Sequence, residues 1–265
     1  MSSDNPYSTP KAASSKVSLA PAHGRHEFAM AWEIYVKNFL TIAMLVAVIG
    51  VPYNLLDSCI EYFVYPDFED FGKGFRASFY LGLVFGVAIT AGAICLGRDY
   101  DDSGSTSFSN VFWGALRAWP RMFFTRLFVQ ILIVLGLLLL VVPGVYFMFR
   151  SIFAEYFAVL EKSSPSQAIK RSFDISKGHE MKIIVYFFLT ALISVLSMVI
   201  VSVPFVLVPE LDNWVASAAM GLLFDLVEVY GILVFYCLYQ KLSAVAQEVS
   251  DADAKSNAML DSVTT

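Results

Sequence analysis

Residues 127–149 read LFVQILIVLGLLLLVVPGVYFMF, twenty-three residues without a charge between Arg126 and Arg150. An uninterrupted apolar run of ~20 residues is long enough, as a helix, to cross the hydrocarbon core of a bilayer. The run therefore reads as membrane-embedded, and its solvent is lipid. It is not uniform, because Pro143-Gly144 follows a long Leu and Val run. A Pro-Gly pair is a strong turn signal. The spacing predicts a helical hairpin with arms over about 122–142 and 145–160. The alternative is one long helix kinked at Pro143, with a polar exit at Arg150.

Working outward, the same test finds the other spans. Nineteen uncharged residues separate Lys37 from Asp57, twenty-one separate Arg76 from Arg98, and twenty-seven separate Lys182 from Glu210. From Asn213 to Gln240 the chain is apolar except for Asp225 and Glu228. With the hairpin, the expected fold is an all-α polytopic membrane bundle of about six transmembrane helices, joined by short interfacial amphipathic helices. Pro204 and Pro209 are expected to end the fifth span. An even number of spans puts both termini on one side. Fifteen of the eighteen Lys and Arg then share that side, only Lys73 and Arg76 lie opposite, and Arg150 falls within a span. Positive charge collects on the cytoplasmic side. The expectation is a multi-pass protein of the cytoplasmic (inner) membrane with both termini in the cytoplasm. Residues 1–25, rich in Ser, Pro and Ala, are expected to be a disordered tail. Residues 26–242 form the transmembrane domain, and 243–265 are expected to be a flexible cytoplasmic tail.

Composition agrees with this reading and excludes others. The 265 residues are 57% hydrophobic and only 15% charged, with a mean hydropathy of +0.64. A soluble domain carries roughly 25% charge. The net charge of −5 argues against nucleic acid as a partner, since a phosphate backbone calls for clustered cations. Cys59, Cys95 and Cys237 are few and scattered, and His23, His26 and His179 lack ligand spacing, so neither a disulfide framework nor a metal or other cofactor is expected. No GxSxG, HExxH, P-loop or Rossmann glycine pattern occurs, and no enzymatic activity is expected.

Two connecting stretches have helical apolar spacing, SFSNVFWGALRAWPR from Ser107 and SPSQAIKRSFDISKG from Ser164. In the second, Ser164 and Gln167 fit a capping box, Pro165 takes the first helical position and Gly178 marks the end. Basic amphipathic helices lie in the bilayer interface. Arg117, Arg121, Lys170, Arg171 and Lys177 are therefore the candidate contacts to anionic lipid headgroups on the cytoplasmic face. A third such stretch, HEFAMAWEIYVKNF from His26, precedes the first span, so the order of interfacial helix and two spans repeats three times.

The segment from Phe108 to about Leu192 resembles the membrane domain found with some bacterial glycerophosphoryl diester phosphodiesterases, and related stand-alone six-helix bacterial membrane proteins. The likeness rests on Pro143-Gly144-Val145-Tyr146, on Arg150 with the apolar stretch after it, on Ala168 and Ser172, and on Lys177-Gly178. It implies a membrane module. In two-part proteins of that kind catalysis belongs to a separate soluble barrel, so the resemblance does not bring phosphodiesterase activity with it.

Charged residues inside spans are costly and are functional candidates by default. Arg150, Glu155, Asp225 and Glu228 qualify. Asp225 and Glu228 are three apart and share a helix face, and a long Arg150 side chain is expected to reach Asp225. An ion pair of that kind can fix helix register, or the excess carboxylate can line a path for ions, protons or a polar substrate. Two functions follow: a non-enzymatic module that organises lipid or scaffolds a protein partner, and a small transporter or channel using the four charges. In the second span Gly82-x-x-x-Gly86 is expected to be an internal packing face.

Overall fold

The computed structural model describes residues 26–64, 71–208 and 213–264, and among them every regular element is helical. The tail before residue 26 and the acidic connection at 65–70 lie outside the described residues. Helix α1 (Glu27–Lys37) leads into α2 (Phe39–Cys59), which ends in a π-helical turn at Ile60–Val64. Then follow α3 (Phe71–Ser103), α4 (Phe108–Leu139), α5 (Val141–Arg150), α6 (Ala154–Leu160), α7 (Pro165–Ser176), α8 (Glu180–Leu207) and α9 (Trp214–Thr264). Among the described residues, five helices are long and apolar enough to cross a membrane: α2 with its π turn, α3, α4, α8 and α9. With the shorter return arm of the hairpin, the layout roughly fits the expected six transmembrane helices. The core forms where α2, α3, α6 and α9 meet, around Ile42, Leu45, Ile94, Phe153, Leu233 and Tyr236, all fully buried.

The hairpin is real, but it turns earlier than expected. Leu140 alone is extended, with φ −166° and ψ 151°, and Pro143 lies inside the first turn of α5. There proline is tolerated, because the first N–H groups of a helix have no partner in any case. Gly144 serves close packing instead of the turn. A Cβ on it would stand 2.7 Å from the Leu137 nitrogen, and one on Gly136 would stand 2.8 Å from the Gly144 Cα. The return arm then breaks at Ser151–Phe153. The break is stabilised from α7, where Ser172 Oγ accepts from the Phe153 N–H at 3.1 Å and donates to the Arg150 carbonyl at 2.7 Å.

Other boundaries also shift. The stretch over 108–119 is no separate interfacial helix: it is the first third of the continuous α4, which carries Pro120 inside. Its apolar face, with Val111, Ala115, Ala118 and Met122, is buried against the bundle, and this packing holds the helix through the proline. The threefold repeat of interfacial helix and two spans is therefore not kept. Pro204 lies inside α8, which ends at Leu207, while Pro209 is outside the described residues. Beyond residue 242, α9 stays helical to Thr264, in a stretch with no Gly or Pro to interrupt it. Helix α7 starts and stops where the sequence marks it, with the capping box present and Gly178 at φ +82°.

Candidate functional site

The bundle interior holds two charged junctions. Arg126, on α4, donates from Nε to Glu155 Oε1 at 2.6 Å and from Nη2 to Glu155 Oε2 at 2.7 Å. Nη2 also reaches Thr90 Oγ1 on α3 at 3.1 Å. The pair thus ties α3 and α4 to the short α6 with the fork geometry that makes Arg–carboxylate bonds strong. Asp225, buried on α9, accepts from Asn54 Nδ2 on α2 at 2.7 Å, and the same amide donates to the Gly50 carbonyl at 2.9 Å. Gly221 admits this contact, since a Cβ there would overlap the Asn54 side chain. Glu228 is exposed and within Coulombic reach of Arg126. Tyr53 lies in the fields of Asp57, Asp225 and Glu228. Asp57 keeps one buried oxygen without a hydrogen bond.

The four charges expected together are therefore divided. Glu155 belongs to Arg126, Asp225 belongs to Asn54, and Arg150 reaches neither. Arg150 Nη1 donates to Glu180 Oε1 at 2.6 Å, and its guanidinium lies over the rings of Tyr146 and Phe173, 5.4 and 5.5 Å from their centroids. The early turn at Leu140 and the break after Arg150 carry this side chain toward α7 and α8. Asp225 and Glu228 do share a helix, but the first faces α2 and the second faces Arg126. The sequence pattern does not mark Arg126 as an internal charge, because it stands at the edge of the apolar run 127–149. Had 108–139 been read as one helix, Arg126 would have counted as an internal charge. Gly82 and Gly86 face inward as expected, toward Tyr53 Oη and Arg126 Nη1.

A second cluster gathers at the end of the bundle where α1, α8 and α9 meet. Glu27 is almost fully buried. It accepts from Lys182 at 2.7 Å and from Tyr186 at 2.5 Å, and Lys241 stands 3.1 Å away. Burial pushes the Glu27 carboxyl upward, but these donors outweigh it and hold the group down to about 2. Of the candidate headgroup contacts, Arg117, Lys170 and Lys177 are exposed and Arg121 is half-buried. Arg171 is exposed but ion-paired with Glu161 and stacked over Phe157. Tyr239 packs against Phe153 and Phe157 inside the bundle. A groove of about 360 Å³ between α2, α3 and α4 is walled by apolar side chains, including Ile49, Phe85, Leu116 and Trp119.

This arrangement is suited to holding helices in register. Among the described residues no group of three His, Cys, Asp or Glu side chains is placed to hold a metal ion. A family model described as the membrane domain of glycerophosphoryl diester phosphodiesterase matches residues 121–261, a stretch that takes in Arg126, Arg150, Glu155, Asp225 and Glu228. No curated protein and no solved structure matches the chain.

Proposed function

Since the chain belongs to the family of the membrane domain of glycerophosphoryl diester phosphodiesterase, we propose that it works as a non-enzymatic membrane module, one that organises anionic lipid at a basic rim and scaffolds a protein partner there. The protein is a multi-pass integral membrane protein. Its proposed setting is the cytoplasmic membrane, with both termini in the cytoplasm, on the strength of the charge bias. No catalytic step is assigned to it.

One observation carries this reading: the internal charge pair Arg126–Glu155 is bidentate and joins α3, α4 and α6. A carboxylate held by both nitrogens of a guanidinium is poorly placed to exchange protons or ions. Removing one partner of a buried pair costs roughly 3–5 kcal/mol, whereas replacing both by apolar residues of similar volume is often neutral or stabilising. The double variant Arg126→Met with Glu155→Leu is therefore expected to fold, to keep its thermal midpoint within a few degrees, and to retain lipid. Each single substitution should lower that midpoint sharply. A double variant that is stable yet has lost retained lipid or partner would sink the structural assignment of this pair.

The unpartnered Asp57 oxygen and the exposed Glu228 favour a second reading, a transporter or channel. Asp225→Asn with Glu228→Gln separates the two: flux in liposomes that disappears in this variant would support the pathway, while intact partner binding would support the scaffold.

A further inference from the structure

Glu228 stands within the spanning part of α9, yet it is exposed. Its neighbours fix the direction in which it points. Asp225, three residues earlier, turns to Asn54 on α2. Ile232, one turn later on the Glu228 face, accepts at its carbonyl from Tyr156 Oη on α6 at 2.9 Å. Glu228 itself lies in the fields of Arg126 and Glu155. The carboxyl therefore looks inward, toward α4 and α6, and what leaves it bare is a hollow inside the bundle. Contacts between helices put this hollow at mid-span. Arg126 reaches Thr90 and lies beside Gly86, both within the apolar run of α3 between Arg76 and Arg98.

The other walls show the same hollow. On α8 the inward stripe is Ile183, Tyr186, Thr190, Ser194 and Ser197, at helical spacing. The first three are buried, but Ser194 is exposed and Ser197 is half-buried. Among the described residues, α4 packs closely on neither α8 nor α9. Gln130, one turn beyond Arg126 on the same face, is only half-buried. The side chains of Arg126 and Glu155 each keep 20% exposure. Toward Lys241 the hollow is closed, where the Tyr156 ring stacks on Tyr239 at 5.7 Å and Phe153 packs against both.

Charge and hydrogen bonding define what fits there. Arg126 and Glu155 satisfy each other through two hydrogen bonds. Glu228 is the surplus negative charge, and among the described residues no side chain donates a hydrogen bond to it. Ionisable side chains at this depth mark substrate sites when they face a cavity. Gln130 and Ser194 add acceptor oxygens to the carboxylate. An ammonium carries one positive charge and three donors with no acceptor, which matches this set. Beyond Ser194, α8 is apolar from Val195 to Val201 except for Ser197, and so suits an apolar body behind the ammonium.

We propose that this hollow binds an amphiphilic amine, with its ammonium on Glu228, Gln130 and Ser194 and its apolar part along α8. The transporter reading also uses Glu228, but binding in detergent involves no flux, so this site stands or falls apart from that reading and from the scaffold.

The probe is dansylcadaverine, a primary ammonium tethered to an apolar fluorescent ring. It is titrated into the full chain in a non-ionic detergent, at a mildly alkaline pH that favours the carboxylate. Saturable fluorescence enhancement is expected, about tenfold tighter or more than for the N-acetylated, neutral form, the scale of a close charge pair. Glu228→Gln should abolish that preference, and Asp174→Asn, exposed on α7, should keep it. The proposal is overturned by an absence of saturable binding, by a smaller preference, or by a preference that survives Glu228→Gln or is lost in Asp174→Asn. Should Glu228→Gln fail to give a monodisperse protein, Ser194→Phe places a ring in the hollow instead, and unchanged amine binding there overturns the site.

Discussion

At the scale of single residues, buried charges are held by specific partners, and this makes one pH effect calculable in sign. Glu27 has its carboxyl held down to about 2 against an ordinary 4.5. A carboxyl depressed on folding adds stability that is fully present above its unfolded value, and that part is lost as pH falls from about 4.5 toward 2. Thermal midpoints of the wild type and Glu27→Gln should therefore differ at neutral pH and converge as pH approaches 2. A gap that is constant across this range would show that the Glu27 charge is not what matters. The sequence displayed Glu155, Asp225 and Glu228 as internal acids, because a charge in an apolar run stands out. It did not display their partners. Asn54 carries no charge and Arg126 sits at the edge of a run, so nothing in the local pattern marked either as the group that satisfies a carboxylate 29 or 171 residues away.

At the scale of elements, local rules succeed wherever the signal is local. The capping box, Pro165 and Gly178 bound α7 because each acts on backbone groups within one turn. The Pro-Gly signal gave a hairpin but misplaced its turn by three residues. Proline's tolerated place in a first helical turn and glycine's small size both came to be used for helix packing. The broken return arm depends on a distant residue, Ser172, which receives one freed backbone group and caps another. Ser172→Ala takes the acceptor from the Phe153 N–H and leaves the Arg150 carbonyl only its longer bond from Ser176, and leaving a buried polar group unsatisfied costs about 1–3 kcal/mol. Thermal unfolding in detergent should show this loss. An unchanged midpoint would mean that water or another side chain replaces the hydroxyl.

At the scale of the whole molecule, exposed cations such as Arg117, Lys170 and Lys177 flank long helices whose outer faces are largely apolar. The proposed lipid contacts are testable together. Gently extracted protein should retain anionic phospholipid in native mass spectrometry, and neutralising Lys170 and Lys177 to Gln should reduce it severalfold. Retention that is indifferent to those charges would count against a basic lipid-binding rim. Arg171 is expected to contribute less, since Glu161 already neutralises it. The sequence by itself determined that this is a helical membrane protein, roughly where its spans lie, and that a hairpin interrupts the middle of the chain. Those properties follow from apolar run length and helical period, which are additive along the chain. Only the tertiary structure decided which charges meet, where the hairpin turns, and that Arg150 sits with Glu180 instead of Asp225. Those outcomes depend on how helices cross and how far a side chain reaches between them, and neither quantity is encoded in the spacing of residues along one helix.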